Sequence, residues 1–237
     1  MIDFHSHILP GIDDGSKNVK ESLEILREMY RQGITKVVAT PHFLARYQSA
    51  EEFCNGRTKA IETLKTALEG IEDIPEIYAG SETEYYDGLG ECDSLDKLCI
   101  QGTRLLLVEM PFSLWTEAVY RNLMRLQEKG YVPVIAHIER YISYQNEGKC
   151  LERLSEMGVQ IQCNCSFFTR RLTKKKALGF IAGRHINFLG TDSHDMKSRK
   201  PKMDKALKII EKKYGYEAIE DILDYSESAL RSATAVI

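Results

Sequence analysis

Eight acidic and imidazole residues occupy one kind of position in this chain. His5 and His7 follow the run Ile-Asp-Phe, His42 follows Val-Val-Ala-Thr-Pro, and Glu82 follows Ile-Tyr-Ala-Gly-Ser. Glu109 follows Leu-Leu-Leu-Val, His137 follows Val-Pro-Val-Ile-Ala, and Asp192 and His194 follow Asn-Phe-Leu-Gly-Thr. Each apolar run reads as a short strand, so each residue stands at a strand's C-terminal end. With Asp14 the candidate metal ligands number nine. Carboxylates with imidazoles and no thiolates suit Zn²⁺, Mn²⁺ or Fe²⁺. Nine exceed what one ion takes, so shared carboxylates would hold two or three ions, able to clamp a phosphoester and ionise a water. A lone His-x-His is weak, and a single Asp or Glu after a strand is often a helix N-cap. The joint pattern decides: five of the six histidines fall in it, and only His185 lies outside. Arg140 and Arg199 stand three residues after His137 and five after His194, where a guanidinium could fork onto phosphate oxygens. The alternative for each is an exposed arginine at a helix start.

The elements must bring these residues to one place. Strands are expected at Met1–Phe4, Lys36–Thr40, Glu76–Gly80, Arg104–Val108, Val132–Ala136, Val159–Cys163 and Ile186–Gly190. Helical spacing is seen in Val19–Gln32, Phe53–Leu68, Ala118–Lys129, Leu151–Met157, Lys174–Ala182 and Met203–Lys213. Seven strands alternating with helices predict parallel β/α units in one domain over residues 1–237. In a β/α barrel the strand C-termini converge on one face, where active sites lie. His5/His7 and Asp192/His194 are i, i+2 pairs whose members point to the same side of an extended chain. The two pairs become neighbours if the barrel closes the first strand against the last.

The totals exclude several classes. Of 237 residues, 43% are hydrophobic and 28% charged, an ordinary globular composition, and the formal net charge of −3 gives no global attraction to nucleic acid or anionic membrane. No apolar run approaches transmembrane length, and the N-terminus lacks a signal-peptide pattern, so a cytoplasmic protein is expected. The six cysteines include no Cys-x-x-Cys pair and read as free thiols.

Ile-Asp-Phe-His-Ser-His-Ile-Leu-Pro-Gly-Ile-Asp-Asp-Gly, Thr-Pro-His42, Gly-Ser-Glu82, Val-Glu109-Met-Pro, Ala-His137-Ile-Glu-Arg140-Tyr and Gly-Thr-Asp192-Ser-His194 resemble the polymerase and histidinol phosphatase superfamily. Within it they resemble the bacterial manganese-dependent protein-tyrosine phosphatases of capsule and exopolysaccharide regulation. The resemblance runs in order from residue 2 to about Pro201. It implies a distorted TIM-like barrel of seven β/α units and three divalent transition-metal ions, manganese first, with iron and zinc also compatible. His5, His7, Glu82 and Asp192 would hold one ion. Glu82 would bridge to a second, held also by Glu109 and His137. Asp14, His42 and His194 would hold the third, with Asp13 as the alternative to Asp14. Arg140 and Arg199 match phosphate-gripping positions. The implied substrate is a phosphotyrosine protein, a tyrosine autokinase. The family's usual His-Pro-Glu-Arg is His-Ile-Glu-Arg here, which removes no ligand.

Competing readings remain at this stage. Cys165-Ser-Phe-Phe-Thr-Arg-Arg171 has the Cys-x5-Arg spacing of thiolate phosphatases, but lacks the glycine that lets backbone amides wrap an anion. The basic run Arg170–Lys176 reads as a solvated helix start, or as a patch beside the site mouth that attracts an acidic phosphopeptide or a nucleic-acid backbone. Histidinol-phosphate phosphatase and nuclease are the enzymatic alternatives. A non-catalytic interaction module is a third, against which every ligand position is filled.

Overall fold

The computed structural model describes residues 1–231 and 233–237. Its strands are β1 (Ile2–Ser6), β2 (Lys36–Ala39), β3 (His42–Phe43), β4 (Glu76–Ala79), β5 (Glu82–Glu84), β6 (Leu105–Glu109), β7 (Val132–Ile135), β8 (Gln160–Asn164) and β9 (Phe188–Gly190). The helices are α1 (Val19–Arg31), α2 (Ala50–Leu68), α3 (Leu95–Leu98), α4 (Glu117–Glu128), α5 (Glu147–Glu156), α6 (Cys165–Thr169), α7 (Lys174–Ala182), α8 (Met203–Tyr214) and α9 (Glu217–Ala229). Every strand pairing is parallel, in the orders β1-β2-β4 and β3-β5-β6-β7-β8-β9. The seven expected strand positions are all filled, and two short strands that were not expected, β3 and β5, follow β2 and β4. Thr40-Pro41 separates β2 from β3, and Gly80-Ser81 separates β4 from β5. Proline has no N–H for the ladder, so the run kinks and resumes at His42.

The sheet curls until its first strand meets its last. Ser6 and Ser193 form a parallel bridge, His7 N–H donates to Ser193 O (2.9 Å), and Asp192 N–H donates to His5 O (2.7 Å). This is a distorted TIM-like barrel. Inward side chains Ile2, Phe4, Val38, Tyr78, Leu107, Val134 and Phe188 fill its interior, and Leu230 closes the same cluster. The opposite residues Val37, Ile77, Leu106, Ile135 and Ile161 pack under the helices. A register shift in β1 between Asp3 and Ser6 places consecutive residues inward. Phe4 stacks on Phe188 at 4.2 Å, and His5 reaches Gln162. Gly190 makes room for that reach: a Cβ there would stand 2.6 Å from His5 Cβ and 2.7 Å from Gln162 Nε2.

Several helices differ from the sequence expectation: the short α3 and α6 were not expected, α5 begins at Glu147 rather than Leu151, and α2 and α9 differ for reasons that can be named. α2 starts at Ala50 because Ser49 and Glu52 form a reciprocal capping box, a Ser-x-x-Glu signal that precedes the apolar periodicity. α9 was not expected at all. Its buried stripe is Ile219, Ile222 and Ser226, and a serine in the stripe hides the period. It still docks on the barrel, with Tyr225 at 5.3 Å from Phe188.

Candidate active site

The barrel brings all nine candidate ligands to one end, in overlapping groups: His7, Asp14, His42 and His194; His5, Glu82 and His137; His5, His7 and Asp192; His42, Glu82 and Glu109. Glu82 is the hub. Its Oε2 lies 3.1 Å from His5 Nε2, 3.2 Å from His7 Nε2 and 3.2 Å from His42 Nδ1, and its Oε1 meets His137 Nε2. Asp14 Oδ1 stands 3.4 Å from His42 Nε2 and 3.3 Å from His194 Nε2. Asp13 takes a different place. Its carboxylate bonds His7 Nδ1 (2.7 Å) and the N–H groups of Gly15 (2.9 Å) and His42 (3.1 Å), so it orients His7 from behind.

The hydrogen bonds behind the imidazoles fix their tautomers. Gln162 Oε1 accepts the His137 backbone N–H at 2.7 Å, so the His5 Nδ1 at 3.1 Å must donate to it. His7 Nδ1 donates to Asp13, and His194 Nδ1 donates to the Asp192 carbonyl (3.0 Å). The Nε2 lone pairs of all three therefore face the centre, as outer partners do for metal-bound histidines. His5 Nε2 and His7 Nε2 are only 3.1 Å apart. His194 Nε2 and His42 Nδ1 are buried without a hydrogen-bond partner among the described residues. Buried polar atoms are rarely unpaired, and lone pairs that converge on a carboxylate call for a cation between them. The donor set and its orphaned nitrogens thus fit divalent metal.

Burial opposes charge on His7, but the bonds and charges of Asp13 and Glu82 outweigh it and raise its pKa to about 10. Burial draws His137 and His194 down to about 4, so they stay neutral. Burial and the Glu82 charge push Glu109 up to about 7. Metal added at neutral pH must displace the His7 proton, so affinity rises with pH. Calorimetric titration with Mn²⁺ in buffers of different ionisation enthalpy should therefore show proton release. Heats that do not depend on buffer would contradict this.

Two candidate ligands carry backbone strain. His137 (φ 28°) and Asp192 (φ 52°) adopt left-handed conformations that non-glycine residues rarely hold. Their N–H bonds to Gln162 and to His5 O lock them there.

The two arginines converge on Asp192. Arg140 Nη2 bonds its Oδ2, and Arg199 Nη2 bonds its Oδ1 at 2.6 Å. Asn164 Nδ2 holds Oδ2 as well, at 2.8 Å. Despite burial, His5 and Arg140 keep this carboxyl well below the usual range. Each guanidinium uses Nη2 on Asp192 and is about one-third exposed, with further N–H donors for an anion.

Several supporting residues escaped the sequence reading. Gln162 and Asn164 orient His5, His137 and Asp192 from β8. Their signal was present: Gln160, Gln162 and Asn164 alternate in an otherwise apolar strand, the same i, i+2 polarity as the histidine pairs. Tyr141 is fully buried, and its hydroxyl lies 3.0 Å from His137 Nδ1. Asp3 accepts from Thr191 N–H (2.8 Å) and His5 N–H (3.2 Å) and ties β1 to the loop after β9.

Cys165 lies away from this centre. It is fully buried, with Sγ at 3.3 Å from Met203 Sδ, and burial pushes its thiol well above the ordinary value. A protonated core thiol is no nucleophile. Cys165→Ala should keep kcat/KM on a phosphotyrosine peptide within about twofold of wild type, since it lies in none of the candidate ligand groups. Loss of activity with the cluster intact would revive the thiolate route.

Over residues 1–230 the chain matches the family described as capsular polysaccharide synthesis, CpsB/CapC. The chain belongs to this family. It is 33% identical over 241 residues to tyrosine-protein phosphatase YwqE of Bacillus subtilis, covering 99% of this chain and 93% of that protein. It is 32% identical over 232 residues to tyrosine-protein phosphatase CpsB of Streptococcus pneumoniae, covering 94% of each. One solved structure, from work on YwqE and CpsB as unique metal-dependent tyrosine phosphatases, superposes with a TM-score of 0.88 at 29% identity. It covers 99% of this chain and 96% of that one. Among the described residues no helix is long and apolar enough to cross a membrane.

Proposed function

We propose that this chain, as one domain spanning residues 1–237, hydrolyses protein phosphotyrosine with metal ions held by the nine clustered residues. The observation that carries the reading is the convergence of buried imidazole lone pairs on Glu82, with two guanidiniums at the edge. His5, His7, Glu82 and Asp192 would hold one ion, Glu82, Glu109 and His137 a second, and Asp14, His42 and His194 a third. The oxygen and imidazole donors suit manganese, with iron and zinc as the other candidates. When bound, such ions supply positive charge for the phosphoryl oxygens and a water acidic enough to attack phosphorus near neutral pH.

The chain's own residues do the rest. Arg140 and Arg199 turn their free N–H donors to the phosphate and counter the charge that develops during transfer. Gln162, Asp13 and Tyr141 hold the imidazole rings in place from behind. A tyrosine phenolate, conjugate acid pKa about 10, leaves readily and needs little proton donation. An apolar wall stands ready for its ring: Phe112, 52% exposed, packs 5.0 Å from Tyr141 and edge-on to Tyr144 at 6.4 Å. The relatives' names support phosphotyrosine protein as the substrate, and the family's place in capsular polysaccharide synthesis supports a tyrosine autokinase of that process, in the cytoplasm, as the partner. Nucleic acid is disfavoured by the net charge of −3. The test is a panel of phosphotyrosine peptide, histidinol phosphate and single-stranded oligonucleotide, with and without chelator. The peptide should be turned over fastest, and only without chelator. Faster release from histidinol phosphate would overturn the assignment.

A further inference from the structure

A cavity of about 280 Å³ opens off the two arginines at the edge of the metal cluster. From Arg140, Asp192 and Arg199 it runs out to Arg170, Lys200 and Lys202. Arg170 comes from the basic run after α6, and the two lysines follow Arg199 on the loop before α8. Among the described residues none of these three cations has an ion-pair partner, whereas Lys176 of the same run is paired with Glu147 at 2.6 Å. The acidic groups on the wall are engaged elsewhere. Both oxygens of Asp192 are held by Arg140 and Arg199, and Glu139 accepts the Asn164 N–H at 3.3 Å. A concave surface with three uncompensated cations, on a chain whose net charge is −3, is a local positive focus.

We propose that this cavity is a second anion subsite, which takes the carboxylate of an acidic residue close to the phosphotyrosine in the same peptide. The inference rests on the phosphotyrosine reading above. A phosphate gripped by Arg140 and Arg199 lies at the mouth of the cavity, so a neighbouring side chain that runs alongside the phosphotyrosine enters it. In an extended peptide the side chains two residues away share the phosphotyrosine's side. A Glu at either of those positions meets Arg170, Lys200 and Lys202, and Arg170 supplies a planar fork that matches a carboxylate. The contacts are partly exposed, so the gain is modest for each and sensitive to salt.

Steady-state kinetics on three phosphotyrosine peptides test this, identical except for Glu, Gln or Lys two residues on either side. The wild type should favour the Glu peptide over the Gln peptide by about five- to tenfold in kcat/KM at low ionic strength, with the preference fading as salt is added. The double variant Arg170→Ala/Lys202→Ala should lose that preference and keep the Gln-peptide rate within about twofold, since neither residue touches the metal cluster. Arg170→Glu/Lys202→Glu should invert the order and favour the Lys peptide. Equal wild-type rates on the Glu and Gln peptides would overturn the subsite and leave the phosphotyrosine reading standing. So would a double variant that slows both peptides alike. Hydrolysis of none of the three would overturn the parent reading and the subsite with it.

Discussion

Replacing Glu82 with glutamine will lower metal content and activity together, the largest single effect expected in this chain. One oxygen of Glu82 faces His5, His7 and His42 and the other faces His137, so one carboxylate is shared by two of the candidate ion positions and lies beside His42 of the third. Glutamine keeps the shape but removes the charge that offsets repulsion between neighbouring cations. Loss of metal polarisation is a matter of several kcal/mol, and about 4 kcal/mol corresponds to ~1,000-fold in kcat/KM. Elemental analysis of the purified variant should therefore find fewer ions per chain, and phosphotyrosine hydrolysis should fall by about 1,000-fold or more. Full metal occupancy in the variant would show that Glu82 is not the link. Glu84 would not be the substitute, because it lies in an ion pair with Arg46 at 2.9 Å.

Arg140→Ala and Arg199→Ala should have the opposite signature: activity falls and metal content holds. Asp192 keeps Asn164 at 2.8 Å and its backbone bond to His5 O at 2.7 Å when either guanidinium is removed. Losing one charged donor in a largely dry site costs about 2–4 kcal/mol of transition-state stabilisation. That is roughly 30- to 1,000-fold in kcat/KM. If the grip tightens during transfer the loss appears in kcat; if it is equal throughout, in KM. Lysine should rescue only in part, because it keeps the charge and loses the fork. Inorganic phosphate should inhibit both variants less than wild type. Near-normal kcat/KM in both would mean that the pairs with Asp192 are their whole role.

Much of the barrel was legible because its signal is local. The apolar runs ending in His42, Glu82, Glu109, His137 and Asp192 each fill a strand position, and the i, i+2 spacing of His5 and His7 does bring their Nε2 atoms to 3.1 Å. The broken strands at Thr40-Pro41 and Gly80-Ser81 were less legible, since a kink depends on what the next strand does. So was the bulge that turns Phe4 and His5 inward together, which depends on the pairing with β2. Asp13 and Asp14 could not be separated by type or spacing. Only the folded loop shows one behind His7 and the other in front of His42 and His194. Gln162 was overlooked because an uncharged amide offers no chemistry by itself. Its importance comes from two histidines that are distant in sequence.

The cluster around Glu82 should work only with divalent metal bound. This is tested most directly by measuring metal content and phosphotyrosine-peptide hydrolysis on one sample through a cycle of chelation and Mn²⁺ return. The stripped chain should be folded and inert, and activity should come back in step with the ions regained, three per chain at saturation. Hydrolysis that persists in the stripped chain would contradict the account.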